Sequence, residues 1–114
     1  MLSKPTIRAL LEFRHARSWE QFHTPRNLAA AISVEAAELL ETFVWATDQQ
    51  VHALALDHRT SVADEIADIA ILLTYLATDL GIDIESAAKA KIRQNAMKYP
   101  VEKAKGVNKK YSDL

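Results

Sequence analysis

Apolar residues recur at helical spacing along most of the chain. Ile7, Leu10 and Leu11, with Arg14 continuing their stripe, predict a first helix over residues 7–17. An aromatic-rich loop follows, Ser18-Trp-Glu-Gln-Phe-His-Thr-Pro25. Thr24 then Pro25 is the pattern of an N-cap with proline at the first helical position, and the helix it opens is expected to reach about Trp45. Leu28, Ile32, Ala36, Leu39 and Phe43 form its core-facing stripe. Asp48 is the expected cap of a short third helix over residues 49–56, and Thr60 or Ser61 that of a fourth ending at Gly81. In the fourth helix Val62, Ile66, Ile69, Leu73, Leu76 and Leu80 make one apolar stripe, with Ile71 and Leu72 off it. So much apolar circumference needs cover from several sides, which predicts an oligomer. Asp83 caps a fifth helix that stops near Lys98, before Pro100.

Composition sharpens this reading. With 2 Gly and 3 Pro in 114 residues there are too few turn residues for a sheet protein, so the fold class is all-α. Residues 1–100 read as one helical domain and residues 101–114 as a polar C-terminal tail, either mobile or lying across a neighbouring subunit. There is no Cys, which removes disulfides and thiolate metal sites. Met1-Leu-Ser-Lys-Pro-Thr6 has no apolar h-region, and no apolar run approaches the roughly 20 residues of a membrane span. A cytoplasmic protein with no membrane partner is expected. The net charge of −1 hides a segregation. Between Asn27 and Ala88 stand eleven acidic residues and one basic residue, Arg59, while the other thirteen Lys and Arg lie in the flanks. An acidic centre repels a phosphate backbone, so no nucleic-acid partner is expected. An acidic centre with basic ends suits a site that holds a cation and a polyanion together.

The acids of the centre are arranged in matching pairs. Glu35-Ala-Ala-Glu38 and Glu65-Ile-Ala-Asp68 each place two carboxylates at i, i+3, on one face of a helix. The 26 residues from Leu39 to Asp64 suffice for a helix end, a connector and a helix start, so the two acidic faces can oppose one another. Their surroundings are apolar: from Leu28 to Leu40 the only polar residues are Ser33, Glu35 and Glu38. No Lys or Arg stands at i±4 to pair with them. Four such carboxylates repel one another, and a divalent ion removes the conflict. Oxygen ligands without Cys or His suit Mg²⁺, with Mn²⁺ as a substitute. A di-iron centre would want Glu-x-x-His pairs on two helices, and only Glu12-Phe-Arg-His15 has that form.

These residues carry a family resemblance. An ExxE followed at this distance by ExxD resembles the all-α nucleoside triphosphate pyrophosphohydrolases, the MazG-like group. Trp19-Glu-Gln-Phe-His23, Trp45, Lys91-Ile-Arg-Gln-Asn95 and Lys98-Tyr-Pro100 look like the dCTP pyrophosphatase branch of that group. The resemblance implies a four-helix-bundle core and an oligomer, usually a tetramer built as a dimer of dimers. It also implies Mg²⁺-dependent cleavage between the α- and β-phosphates. Glu35, Glu38, Glu65 and Asp68 would hold the metal, and Glu38, with Glu41 next on the helix, would orient or deprotonate water. Trp19, Phe22 and Trp45 would stack on or enclose the base, His23 would contact base or sugar, and Lys91 and Asn95 would meet phosphate and base edge. On an unbroken helix Trp45 lies about 10 Å beyond the metal. Leu10 and Leu72 stand where that branch has a histidine and a tyrosine, which puts base selectivity in question. The expected substrate is a deoxynucleoside triphosphate, dCTP first, with breadth that extends to dATP, in nucleotide-pool house-cleaning. Two alternatives keep the helices and drop the chemistry: a non-catalytic nucleotide-binding regulator and a purely structural interaction module.

Overall fold

Six α-helices and two 3₁₀ turns make up the chain, with no strand, in a computed structural model that describes residues 1–114. The helices are α1 Lys4–Ala16, α2 Pro25–Glu41, α3 Val51–Asp57, α4 Arg59–Asp79, α5 Ile84–Lys98 and α6 Val101–Ala104. They form two compact units, Met1–Gly81 and Ile82–Leu114.

Local chemistry explains three of the six helix starts. Ser3 Oγ accepts the Thr6 amide at 3.3 Å and a proline sits in the first turn, so α1 begins three residues before the apolar periodicity does. Thr24 Oγ1 accepts the Asn27 amide at 3.1 Å ahead of Pro25, as expected for α2. Asp83 Oδ2 accepts the Ser86 amide at 3.3 Å to open α5. Gly81, at φ +67°, turns the chain out of α4 in the left-handed region where glycine meets no Cβ clash.

Three expected boundaries are wrong. Helix α2 stops at Glu41, and Thr42–Trp45 form turns. The Thr-Phe-Val-Trp run is β-branched and aromatic, which disfavours continued helix, and its last two residues, Val44 and Trp45, are exposed. Asp48 caps nothing: Gln50 holds the N-cap position of α3, its side-chain oxygen folded back to accept the Thr47 amide at 3.0 Å. Thr60 and Ser61 lie inside α4, which starts at Arg59 directly after His58 without a side-chain cap.

In the first unit α2 packs along α4, and α1 and α3 also contact α4. Few side chains are deeply buried: Leu28 on α2, Thr74, Tyr75 and Ala77 on α4, and Arg14 on α1. The α4 stripe expected to fill the core is partly outside, with Ile66, Leu73 and Leu80 exposed. Because α4 is apolar over most of its circumference, periodicity did not distinguish its inner from its outer face. Two polar anchors mark the inner face. Thr74 Oγ1 donates to the Ala70 carbonyl at 2.7 Å, and the Tyr75 hydroxyl donates to the Leu10 carbonyl at 3.0 Å, tying α4 to α1. In α2, Leu28 is buried and Ile32 and Leu39 are half-buried, while Ala36 is exposed; Phe43, in the turn beyond, is half-buried.

The second unit holds α5, α6 and a final 3₁₀ turn, Tyr111–Asp113. Tyr99 and Tyr111 pack edge to face with ring centres 6.1 Å apart, and Lys98 Nζ lies 4.8 Å from the Tyr111 ring centre. Residues of the 101–114 segment thus contact the end of α5.

Thr24→Ala removes the oxygen that caps α2 and is expected to cost about 1 kcal/mol in urea unfolding, with Thr24→Ser close to wild type. Equal stability of Thr24→Ala and wild type would show that the cap contributes nothing.

Candidate metal centre and adjoining cavity

The i, i+3 spacing within α2 and the packing of α2 on α4 bring Glu35, Glu38 and Glu65 together. One carboxylate oxygen from each lies within 4.8 Å of the others. Glu35 and Glu65 are half-buried and Glu38 is exposed. Glu65 Oε2 is fully enclosed and has no hydrogen-bond partner. A buried carboxylate oxygen without a donor is costly, and such an atom calls for a proton or a cation.

The electrostatics say the same. The carboxyl of Glu35 is raised above the ordinary range first by its close approach to the Glu65 carboxyl, then by desolvation and by the charges of Asp68 and Glu65. Glu38 is raised chiefly by the negative charge of Glu35, then by desolvation, with Glu41 adding to the repulsion. The orphaned Glu65 oxygen and the raised Glu35 and Glu38 carboxyls are aspects of one shortage of positive charge. The only deeply buried cation, Arg14, is already committed: it forms a two-pronged pair with Asp79, at 2.7 and 2.9 Å. A donor set of carboxylates alone, with an unsatisfied inner oxygen, fits a hard divalent ion such as Mg²⁺.

A cavity of about 410 Å³ adjoins the acids. Glu35 and Asp68 stand in its wall with Leu10 and Phe13 of α1, Trp19 and His23 of the loop, and Ile71, Leu72 and Tyr75 of α4. Asp68, Ile71, Leu72 and Tyr75 follow one another at steps of 3, 1 and 3, so the acidic face of α4 continues directly into the cavity wall. The loop residues reach the wall because Ser18 takes a left-handed conformation, φ 51°, unusual for a residue with a Cβ. That turn folds Trp19 back edge to face onto Phe13, ring centres 5.6 Å apart.

Of the predicted residues, Glu35, Glu38 and Glu65 cluster, Asp68 lines the cavity, and Glu41 acts on Glu38 through charge. Trp19 and His23 line the cavity; Phe22 is 60% exposed and is outside its wall. The placement of Trp45 must be corrected. It lies beyond the end of α2, 93% exposed, so the helical distance of about 10 Å does not apply. Lys91 and Asn95 are exposed on α5 in the second unit. Phe13, Ile71 and Tyr75 were not expected in the wall. Tyr75 was detectable from its seven-residue spacing from Asp68. Arg14, a cation within the apolar stripe of α1, was the visible sign of the ion pair with Asp79.

An all-α fold with a carboxylate centre beside an aromatic cavity defines the class of protein. The MazG-like family matches residues 30–114. The chain is 38% identical to bovine dCTP pyrophosphatase 1 over 118 residues, covering 98% of this chain and 70% of that protein. It is 36% identical to the human dCTP pyrophosphatase 1 over 105 residues, where it spans 62% of that protein's length. The crystal structure of a pyrophosphatase from Archaeoglobus fulgidus DSM 4304 superimposes with a TM-score of 0.83 at 39% identity, over 85% of this chain and 91% of that one. The chain belongs to the MazG-like family.

Raised carboxyl pKa values mean that the folded state binds protons more tightly than the unfolded chain does. Their stabilising effect is complete below the ordinary glutamate value of about 4.3 and is lost as pH rises through the raised values. Asp79 and Asp83, lowered by hydrogen bonds from Arg14 and Ser86, act the opposite way only at more acidic pH. Without divalent ions, the cluster should therefore lower the melting temperature as pH climbs from about 4.5 toward neutrality. Glu35→Gln should flatten that slope and melt higher than wild type at pH 7. A lower melting temperature for Glu35→Gln would mean that its charge is a favourable contact.

Proposed function

We propose that the chain is a Mg²⁺-dependent nucleoside triphosphate pyrophosphohydrolase that converts deoxynucleoside triphosphates to the monophosphate and pyrophosphate. The observation that carries this reading is the convergence of Glu35, Glu38 and Glu65 on one point, with Glu35 also in the wall of an aromatic cavity. Carboxylates without a cation repel the phosphates they would have to serve. Glu35, Glu38, Glu65 and Asp68 would hold Mg²⁺, with Mn²⁺ as a substitute. When bound, the metal supplies charge neutralisation on the phosphates and an acidified water. Glu38, the exposed member, is suited to orient or deprotonate the attacking water, and its pKa is raised mainly by the charge of Glu35, which makes it a stronger base than an ordinary glutamate. Glu41 adds to that upward shift by repulsion from the next turn.

In this reading Trp19 and His23 face the base; stacking on an aromatic is worth about 1–3 kcal/mol per base. Phe22, Trp45, Lys91 and Asn95 are the further substrate contacts of this proposal. The catalytic domain is residues 1–100, residues 101–114 form a C-terminal extension, and the enzyme works in cytoplasmic nucleotide-pool house-cleaning. No helix is long and apolar enough to cross a membrane. The assembly we propose is a tetramer of four-helix-bundle protomers. Exposed Val34 and Leu40 on α2, the exposed Ile66, Leu73 and Leu80 stripe on α4, and fully exposed Trp45 support it, since apolar surface so arranged needs a partner. Sedimentation at micromolar concentration should show an oligomer, and a stable monomer would contradict the assembly.

The relatives named dCTP pyrophosphatase favour dCTP as the first substrate. Leu10 and Leu72, both in the cavity wall, favour breadth, extending to dATP: a pocket with fewer hydrogen-bonding groups penalises a wrong base less. Steady-state kcat/KM for the four common dNTPs and CTP, with pyrophosphate and phosphate release measured separately, tests the reading. Pyrophosphate release led by dCTP, with less than about a hundredfold discrimination against the other dNTPs, is expected. Glu38→Gln should lower kcat by about a hundredfold or more while leaving the fold intact. Release of phosphate in place of pyrophosphate, or a preference for ribonucleotides, would overturn it.

A further inference from the structure

Behind the cavity wall lies a polar chain that the proposed chemistry does not use. Arg14, 6% exposed, donates Nη1 to Asp79 Oδ2 at 2.9 Å and Nη2 to Asp79 Oδ1 at 2.7 Å. Nη1 also lies 3.5 Å from Nδ1 of His23. The guanidinium carbon is 4.7 Å from the centre of the Tyr75 ring, whose hydroxyl is anchored on the Leu10 carbonyl. The His23 and Tyr75 rings stand 5.1 Å apart, and both are in the cavity wall. One cation thus touches two wall residues, and Asp79 fixes its plane from 65 residues away.

A guanidinium has five donors and no acceptor. The only favourable partner it can find on Nδ1 is a lone pair. A neutral imidazole with its lone pair on Nδ1 carries its proton on Nε2, and Nε2 makes no hydrogen bond within the protein. We propose that Arg14, clamped by Asp79, is a positioning residue that holds His23 as the Nε2–H tautomer, so that the cavity offers the nucleobase a fixed hydrogen-bond donor. The ligand feature it selects is an acceptor on the base, a carbonyl oxygen or an unprotonated ring nitrogen. The selection step rests on the nucleotide reading above; the tautomer does not.

Arg14→Lys and Arg14→Gln separate the effect from packing. Lysine keeps a donor-only partner for Nδ1, whereas the glutamine side chain can also accept and so admits the Nδ1–H form. Long-range ¹H–¹⁵N correlation spectra of the histidines report the tautomer directly, without substrate. In the wild type His23 is expected as Nε2–H, retained in Arg14→Lys and mixed in Arg14→Gln. For dCTP, KM should rise about tenfold in Arg14→Gln with kcat changed less than about twofold, and Arg14→Lys should restore KM. A wild-type His23 protonated on Nδ1, or sampling both forms, overturns the proposal whatever the nucleotides do, even if neither variant folds. A released tautomer with unchanged KM overturns the link to recognition. A locked tautomer in a protein that turns over no nucleotide overturns the functional reading instead.

Discussion

The mutual repulsion of Glu35, Glu38 and Glu65 is the constraint around which the first unit is organised. Packing α2 against α4 brings these charges to within a few ångströms of one another and leaves one oxygen of Glu65 enclosed without a donor. An ordinary protein core would relieve this with an arginine or lysine. Here the buried arginine is consumed by Asp79, and neither acidic helix carries a base at i±4. In the bare protein the conflict is met by protons held on Glu35 and Glu38 above their ordinary range. Protons are a poor match at neutral pH, and a divalent cation is a good one. The cluster is therefore a store of unfavourable energy that a bound metal would release.

The cavity is an extension of the same arrangement. Asp68 and Tyr75 share a face of α4, so the wall that would meet a base is continuous with the acids that would meet phosphate through metal. The left-handed turn at Ser18 and the Thr24 cap bracket the loop that supplies Trp19 and His23. Arg14 and Asp79 tie α1 to the far end of α4 and back two of the aromatic groups in the wall. A substrate site of this kind is set by a few polar contacts in a mostly apolar frame.

The sequence made some of this legible and hid the rest for physical reasons. The all-α class followed from helical periodicity and scarce Gly and Pro, and the placing of Glu35 with Glu38 on one face followed from i, i+3 spacing, because helix geometry alone fixes which side chains share a face. The Thr24 and Asp83 caps were legible because each is a local side-chain-to-amide bond. Boundaries at Glu41, Val51 and Arg59 were not, since there no side chain dictates the start or stop as strongly. Trp45 was misplaced by assuming that a helix runs on through Thr42, Phe43 and Val44. The inner face of α4 was hidden by too much hydrophobicity: Ile66, Leu73 and Leu80 read as core but are exposed, and Tyr75 is identified as inward only by its bond to α1.

The most direct test of the account is whether those three carboxylates bind a divalent cation in the substrate-free protein. Mn²⁺ titration followed by electron paramagnetic resonance counts bound ions without any catalytic readout. The account predicts a saturable Mn²⁺ site that Mg²⁺ displaces and that disappears in a folded Glu35→Gln/Glu65→Gln double variant. Wild type and the folded double variant binding Mn²⁺ alike, or neither binding it, would contradict the central claim.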